Sequence, residues 1–85
     1  MALNIAYFAW VRERMGLAEE AVEVPVEVSD VAALIGWLAA RDERGARAFA
    51  EPHRIRVAID GAMAGQTAQL CGVREVALFP PVTGG

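Results

Sequence analysis

The main helix that the sequence predicts reads Ser29-Asp30-Val31-Ala32-Ala33-Leu34-Ile35-Gly36-Trp37-Leu38, and the fold class follows from it. Ser29 followed by Asp30 is typical of a helix start, because the hydroxyl can accept from a free backbone amide and the carboxylate favours the positive end of the helix dipole. Four apolar residues then recur at helical spacing and form one stripe: Val31, Leu34, Ile35 and Leu38. We therefore expect one long helix with a single apolar face.

Two strands are predicted before this helix. The first covers residues 3–8, whose side chains alternate, and its apolar face is Leu3, Ile5 and Tyr7. The second is half-buried and is marked by valines at every second position: Val22, Val24, Val26 and Val28. Pro25 places that strand at a sheet edge. Between the two strands, a short helical turn over residues 10–15 ends at Gly16.

Further elements are predicted after the main helix. A looser helix covers residues 43–50, and a third strand covers residues 55–59. Asp60-Gly61 is a strong turn dipeptide and ends that strand. The last strand covers residues 76–79 and stops at Pro80-Pro81, where two backbone donors are missing.

The order of elements is strand, strand, main helix, then strands, which predicts a small α+β domain with one sheet packed on the helix. The pattern is compatible with a β-grasp fold. Periodicity alone also permits a ferredoxin-like arrangement.

Composition and charge exclude several classes of protein. The chain has 85 residues, enough for one domain, and much of its apolar content is alanine, so the core is small. Its formal charge of -3 is spread over interspersed signs, which argues against nucleic-acid binding. The lone Cys71 permits no internal disulfide, and we expect it to be a small, partly buried side chain. No apolar stretch approaches the roughly 20 residues of a membrane span, and no basic leader precedes the first strand, so we expect a cytoplasmic protein.

Four segments resemble one known family. The tail Glu75-Val76-Ala77-Leu78-Phe79-Pro80-Pro81-Val82-Thr83-Gly84-Gly85 closely resembles the C-terminus of the small subunit of molybdopterin synthase, a β-grasp sulfur carrier. Tyr7-Phe8-Ala9-Trp10-Val11-Arg12-Glu13 is similar to that family's first strand and arginine-bearing turn. Ser29-Asp30-Val31-Ala32-Ala33-Leu34 is similar to the start of its central helix, and Ile59-Asp60 to the end of a matching strand. The resemblance implies a β-grasp domain over residues 1–79, with a mixed sheet on one main helix and a shorter second helix, and an extended tail over residues 80–85.

Two positions depart from the family pattern. The family usually has a strongly acidic turn before its last strand, where this chain has Gly72-Val73-Arg74-Glu75. It also commonly has asparagine where this chain has Asp60.

The resemblance implies that the carboxylate of Gly85 is the working group. An E1-like enzyme adenylates it with ATP, and a sulfurtransferase supplies the sulfur that replaces one oxygen. The resulting thiocarboxylate is a nucleophile that donates sulfur to a pterin precursor. The chain is then a donor with no catalysis of its own, it binds no cofactor or metal, and it assembles as two small with two large subunits.

The tail is suited to insertion into a partner. Gly84 and Gly85 lack Cβ atoms, so the end can enter a narrow tunnel. Pro80-Pro81 stiffens the root in an extended form, which lowers the entropy lost on insertion. Val82 and Thr83 complete an arm whose reach from Phe79 is about 20 Å when extended.

The residues that the resemblance implies at the surface around the tail are Phe8, Met63 and Phe79, with Arg12 at its edge. An aromatic anchor beside a polar rim is the usual pattern at interfaces. For the two phenylalanines, packing in the core is the alternative. Two other functions stay open: a sulfur carrier for thiazole, cysteine or tRNA thiolation, and a ubiquitin-like modifier joined to lysines.

Overall fold

The computed structural model describes residues 1–81, so Val82, Thr83, Gly84 and Gly85 lie outside the described residues. The strands are β1 (Ala2–Tyr7), β2 (Glu19–Glu23), β3 (Arg56–Ile59), β4 (Ala62–Ala64) and β5 (Glu75–Phe79). The helices are α1 (Ala9–Met15), α2 (Val31–Arg41) and α3 (Glu43–Ala48), and a 3-10 turn covers Pro52–Arg54. The predicted order of strand, strand, main helix and strands is confirmed.

The strands form one five-stranded mixed sheet in the order β2-β1-β5-β3-β4. The first and last strands, β1 and β5, run parallel at its centre, and the other neighbours are antiparallel. Helices α2 and α3 both lie between β2 and β3, and the strands β3, β4 and β5 then follow with no α-helix between them. A ferredoxin-like fold has the order β-α-β-β-α-β instead. The fold is therefore α+β and of the β-grasp kind.

The core lies between one face of the sheet and the helices. Strand alternation places the buried side chains of β1 and β5 on that face: Leu3, Ile5, Tyr7, Val76 and Leu78. The apolar stripe of α2 covers them with Val31, Leu34, Ile35 and Leu38, each at most 1% exposed. Both predicted apolar faces are confirmed, and the opposite face of the sheet is left without a covering helix among residues 1–81.

The second strand lies earlier in the chain than predicted, over Glu19–Glu23 instead of residues 22–28. It ends at Glu23, because Glu23 pairs with Ala2 at the very start of β1 and the ladder has little further chain to pair with. Pro25 has no N–H to donate, and its carbonyl instead accepts from Val28 N at 3.0 Å in a turn. Val26 lies in this turn and is 81% exposed. The predicted edge position of β2 is confirmed, because β2 is the first strand in the sheet order.

The cap of α2 also differs from the prediction. Asp30, not Ser29, is the N-cap, and its Oδ1 accepts from Ala33 N at 2.8 Å. The helix begins at Val31, so the carboxylate one residue before it has the right reach to the third helical amide.

The third and fourth strands form a hairpin. Asp60 and Gly61 have φ angles of 47° and 86°, which confirms the predicted tight turn. Beyond it lies β4, a strand that the sequence did not predict because alanine and glycine are poor strand formers.

A polar network joins β1, β2 and the end of α2. Tyr7 Oη donates to Glu20 Oε2 at 2.7 Å, and Arg41 donates to both oxygens of Glu20 at 3.1 and 2.8 Å. Burial alone would raise the pKa of Glu20, but the hydrogen bonds from Arg41 and Tyr7 together lower it below its ordinary 4.5. Burial and the Glu20 charge raise the pKa of Tyr7. Glu20 therefore stabilises the fold in its ionised form.

Replacing Glu20 by Gln is expected to lower the free energy of unfolding at pH 7 by about 1–3 kcal/mol, since Arg41 loses a charged partner. The pKa of Glu20 is lower in the folded protein, so its contribution is complete above about pH 4.5 and is lost as the pH falls through the folded-state value. Urea unfolding at pH 7 and pH 3 should therefore show a smaller difference between wild type and E20Q at pH 3. E19Q, a neighbouring exposed change, is the control and should stay within about 0.5 kcal/mol of wild type. An E20Q effect that is equal at both pH values contradicts this assignment.

Candidate docking face and tail root

The uncovered face of the sheet has a row of small side chains across its middle. Strand pairing aligns Ala6 with Ala77, Ala77 with Ala58, and Ala58 with Met63. Each alanine contributes only a methyl group, so a partner surface can approach the sheet closely. We use the name docking face for the alanines Ala6, Ala58 and Ala77 together with the large apolar side chains beside them, which are Phe8, Met63 and Phe79.

Two predicted anchors are exposed at this face. Phe8 is 50% exposed, and it continues the alternation of β1 so that it follows Ala6 on the uncovered side. Met63 is 69% exposed on the edge strand β4. Neither side chain belongs to the core, so the core-packing alternative is wrong for Phe8.

Phe79 is partly exposed and ends β5, at the root of the tail. The end of β5 is held close to the end of β1, because Phe8 N donates to Leu78 O at 3.2 Å. Pro80 and Pro81 follow directly and are also partly exposed. The structure thus brings Phe8 and the tail root together at one end of the docking face.

Arginines lie near the tail end of the face. Arg12 is exposed on α1, one helical turn after Phe8, and its backbone N–H donates to Phe8 O at 3.3 Å. Arg56 pairs with Phe79 across the sheet and is exposed on the same face. Sequence reasoning missed Arg56 and the alanine row, although the alternation of Ile55, Val57 and Ile59 assigns residues 56 and 58 to the face opposite the core.

The opposite end of the face is polar. Asn4 Nδ2 donates to Glu75 Oε2 at 3.3 Å. Asp60 Oδ1 accepts from the backbone N–H of Arg74 and Glu75 at 3.2 and 2.9 Å and so fixes the start of β5. An asparagine side-chain oxygen can accept the same two bonds, so the departure at Asp60 preserves the turn.

Cys71 is exposed, which makes the expectation of a partly buried side chain wrong. It lies in the turn after the buried Leu70, and the turn is closed by Val73 N donating to Leu70 O at 3.0 Å. Within residues 1–81, His, Cys, Asp and Glu side chains form no group of three that could hold a metal ion. In the same part of the chain, no helix has the length and apolar character needed to cross a membrane.

β5 lies at the centre of a mixed five-stranded sheet, and the sequence after it ends in Gly84-Gly85. This combination defines a ubiquitin-like β-grasp protein. The model of the ThiS family matches residues 5–85. The chain therefore belongs to the ThiS family.

Similar proteins support this assignment. The molybdopterin synthase sulfur carrier subunit of Escherichia coli K12 is 36% identical over 83 residues, covering 98% of this chain and 99% of that protein. Two solved structures share the fold. A Pyrococcus furiosus protein assigned as molybdopterin converting factor, subunit 1, has a TM-score of 0.71 and 24% identity over 96% of this chain and 99% of its own. The small archaeal modifier protein 1 of Haloferax volcanii has a TM-score of 0.69 and 22% identity over 95% and 98%.

Proposed function

We propose that this chain is the sulfur carrier subunit of a molybdopterin synthase, and that the thiocarboxylate of Gly85 is its sulfur donor. The observation that carries the proposal is the likeness to the E. coli sulfur carrier subunit over nearly the whole of both chains. The tail beginning at Phe79 adds to it, because its residues suit insertion into a partner.

The chemistry needs three partners. An E1-like enzyme lets the Gly85 carboxylate attack the α-phosphorus of ATP, which forms an acyl adenylate and releases pyrophosphate. The terminal sulfur of a persulfide on the sulfurtransferase then attacks the acyl carbon and displaces AMP, and a second thiol reduces the resulting acyl disulfide, which releases the thiocarboxylate and leaves a disulfide. In the large subunit, the thiocarboxylate sulfur attacks an electrophilic carbon of the pterin precursor, and water cleaves the acyl–sulfur bond to restore the carboxylate. The carrier thus supplies the acyl group and the large subunit supplies the catalytic groups.

The fold supports this role by holding the tail root firmly. β5 lies between β1 and β3, so the tail leaves from the centre of the sheet and not from a free edge. The root is fixed by hydrogen bonds on both sides of β5, and the arm beyond it reaches about 20 Å. A fixed root limits where Gly85 can go, which lowers the entropy cost of reaching a partner's active site.

The docking face is the surface that we assign to the large subunit. Phe8, Met63 and Phe79 are apolar anchors beside the alanine row, and Arg12 and Arg56 lie at the rim near the tail. Anchors of this kind usually account for most of the binding energy at an interface, while the rim contributes specificity.

Replacing Met63 by Glu is expected to weaken binding of the large subunit by about tenfold or more, which corresponds to roughly 1.4 kcal/mol. The side chain is 69% exposed, so the change leaves the core intact. V26E is the matched control, because Val26 is 81% exposed in the turn after β2, at the other edge of the sheet. The large subunit can be captured from the host with tagged carrier, and dissociation constants measured by calorimetry. Equal losses for M63E and V26E refute the assignment of the face.

The alternative function is that of a ubiquitin-like modifier, in which the Gly85 carbonyl carbon forms an amide bond with a lysine amine instead of a bond to sulfur. The likeness to the archaeal modifier rests on the fold alone. All eight basic residues of this chain are arginine, so two copies of residues 1–85 cannot join through a lysine. A lysine conjugate would therefore contain a different protein, which makes the two functions separable by mass.

A further inference from the structure

Two opposite charges flank the aromatic end of the docking face. Strand pairing aligns Glu19 of β2 with Ala6, and it aligns Arg56 of β3 with Phe79. Ala6 and Phe79 lie on the uncovered side of the sheet, so the two charged side chains belong to that side as well. Phe8 and Phe79 therefore have a carboxylate on the β2 side and a guanidinium on the β3 side.

The fold does not use either of these two charged groups within the described residues. Glu19 and Arg56 are exposed, and among residues 1–81 neither side chain forms an ion pair or a hydrogen bond. Glu20, on the covered side of the same strand, is instead bound by Tyr7 and Arg41. The structural role in β2 thus belongs to Glu20, and the neighbouring carboxylate is left for a partner.

The other charges near the aromatic end come in balanced sets. Arg12 and Glu13 line the same groove between α1 and the residues before β2, so together they add no net charge there. On the β3 side, Arg54 is paired with Glu51 at 3.4 Å. Within the described part of the chain, the two flanking charges are therefore not neutralised by their surroundings.

The two charges act as separate poles. β1 and β5 lie between β2 and β3, so three strand spacings, about 14 Å, separate Glu19 from Arg56 across the sheet. The Debye length at physiological salt is about 8 Å, so screening leaves little attraction between them. A surface that covers the aromatic anchors meets a negative pole on one side, a positive pole on the other and neutral side chains between.

We propose that Glu19 and Arg56 set the orientation in which the large subunit covers the docking face. This rests on the proposed function, which assigns the face to that subunit. The subunit that fits has a cationic group where it meets β2 and a carboxylate where it meets β3, because that polarity pairs both charges. A subunit turned by half a turn about the normal to the sheet would place like charges opposite each other. The two charges thus determine specificity, while the apolar anchors supply most of the affinity.

The orientation matters because of where Arg56 lies. It is the strand neighbour of Phe79, the last residue of β5 and the root of the tail. A carboxylate of the large subunit bound to Arg56 is therefore held beside the tail root. Sulfur transfer requires the chain end to be placed within about 1 Å, so a fixed orientation favours the reaction as well as recognition.

The first test exchanges the two charges in the variant E19R/R56E, which keeps the net charge at -3 and reverses the polarity. The large subunit is captured from the host with tagged carrier, purified, and mixed with each full-length carrier in a stopped-flow instrument. At low salt we expect the association rate constant of the variant to be at least about tenfold lower than that of wild type. At about 1 M salt the Debye length is about 3 Å, so the two rate constants should approach each other.

E27R/R47E is the matched control for the exchange. Glu27 lies in the turn after β2 and Arg47 lies on α3, so both are exposed outside the docking face and the net charge is again unchanged. This control should associate like wild type. Equal association of E19R/R56E and wild type at low salt overturns the proposal, and so does an equal loss in the control. If wild type itself binds no large subunit, the proposed function fails instead.

Neutral variants keep the test valid if the exchanged variant is less stable, which thermal unfolding would show. E19Q and R56Q each remove one pole without creating a like-charge contact. Each should lower the dependence of the association rate constant on salt, because one interacting charge is lost. Salt dependences equal to that of wild type for both variants contradict the proposal.

The second test locates the complementary charge on the partner. Each Asp and Glu of the large subunit is changed to Arg in turn, and association is measured with the R56E carrier. We expect one such change to raise the association rate constant with R56E at least about tenfold while lowering it with wild type, as coupled neighbours do. Recovery by none of the changes contradicts a carboxylate beside Arg56. Normal association of E19R/R56E with the large subunit, together with slower adenylation, would assign the two poles to the adenylating enzyme and overturn the proposal.

Discussion

Deletion of Gly85 is expected to abolish sulfur transfer while leaving the free energy of unfolding unchanged. The strands, helices and core of the described residues all lie at or before Phe79 in the chain. The carbonyl carbon of Gly85 is the proposed acyl donor, and removing the residue draws the chain end back by about 3.5 Å. Misplacing reacting atoms by even about 1 Å can cost roughly a hundredfold in rate.

The deletion is best measured in a reconstituted synthase, as product formed per thiocarboxylated carrier. Adding one residue after Gly85 should be equally inactivating, because a peptide bond then replaces the free carboxylate. T83S keeps the length and backbone of the tail and is the matched control, with activity close to wild type. Full activity of the extended protein without prior trimming shows that Gly85 is not the donor.

Replacing Gly45 by Ala is expected to destabilise the fold by about 3 kcal/mol or more. A Cβ at this buried position in α3 would lie 1.9 Å from the carbonyl oxygen of Leu38, so α3 must move away from α2. The melting temperature should fall by roughly 10–20 °C.

Gly36 provides the matched control for that change. It is exposed in α2, and a Cβ there meets nothing within 4 Å. G36A should therefore stabilise the protein by about 0.5–1 kcal/mol, since alanine restricts the unfolded chain and favours the helix. Differential scanning calorimetry of both variants tests the packing of α2 against α3. An unchanged melting temperature for G45A contradicts the close approach of these helices.

The elements that the sequence predicted well are those set by local pattern. The stripe on α2 and the alternation of β1 reflect burial on one face, and both are confirmed. β2 was predicted too late in the chain, because the valine alternation runs from Val22 to Val28 while pairing with β1 covers Glu19–Glu23. The bounds of this strand depend on a partner distant in sequence, which periodicity cannot reveal.

The site was predictable only in part, for a related reason. Alternation separates the two faces of a strand but does not say which face a helix will cover, so Phe8 had two possible locations. The chemistry of the tail came from resemblance, and the roles of its residues stay predictions. Arg54 lies over the Trp10 ring and Arg14 donates to the Arg47 carbonyl, and only tertiary packing brings these distant parts of the chain to α1.

Whether Gly85 carries sulfur can be measured as the intact mass of the protein purified from its own host, followed by fragmentation of its C-terminal peptide. We expect a fraction of molecules in which one terminal oxygen of Gly85 is replaced by sulfur, and loss of that fraction when the adenylating enzyme is absent. An unchanged terminal carboxylate in cells that make molybdopterin, together with Gly85 joined to lysines of other proteins, contradicts the role of sulfur carrier and identifies a modifier.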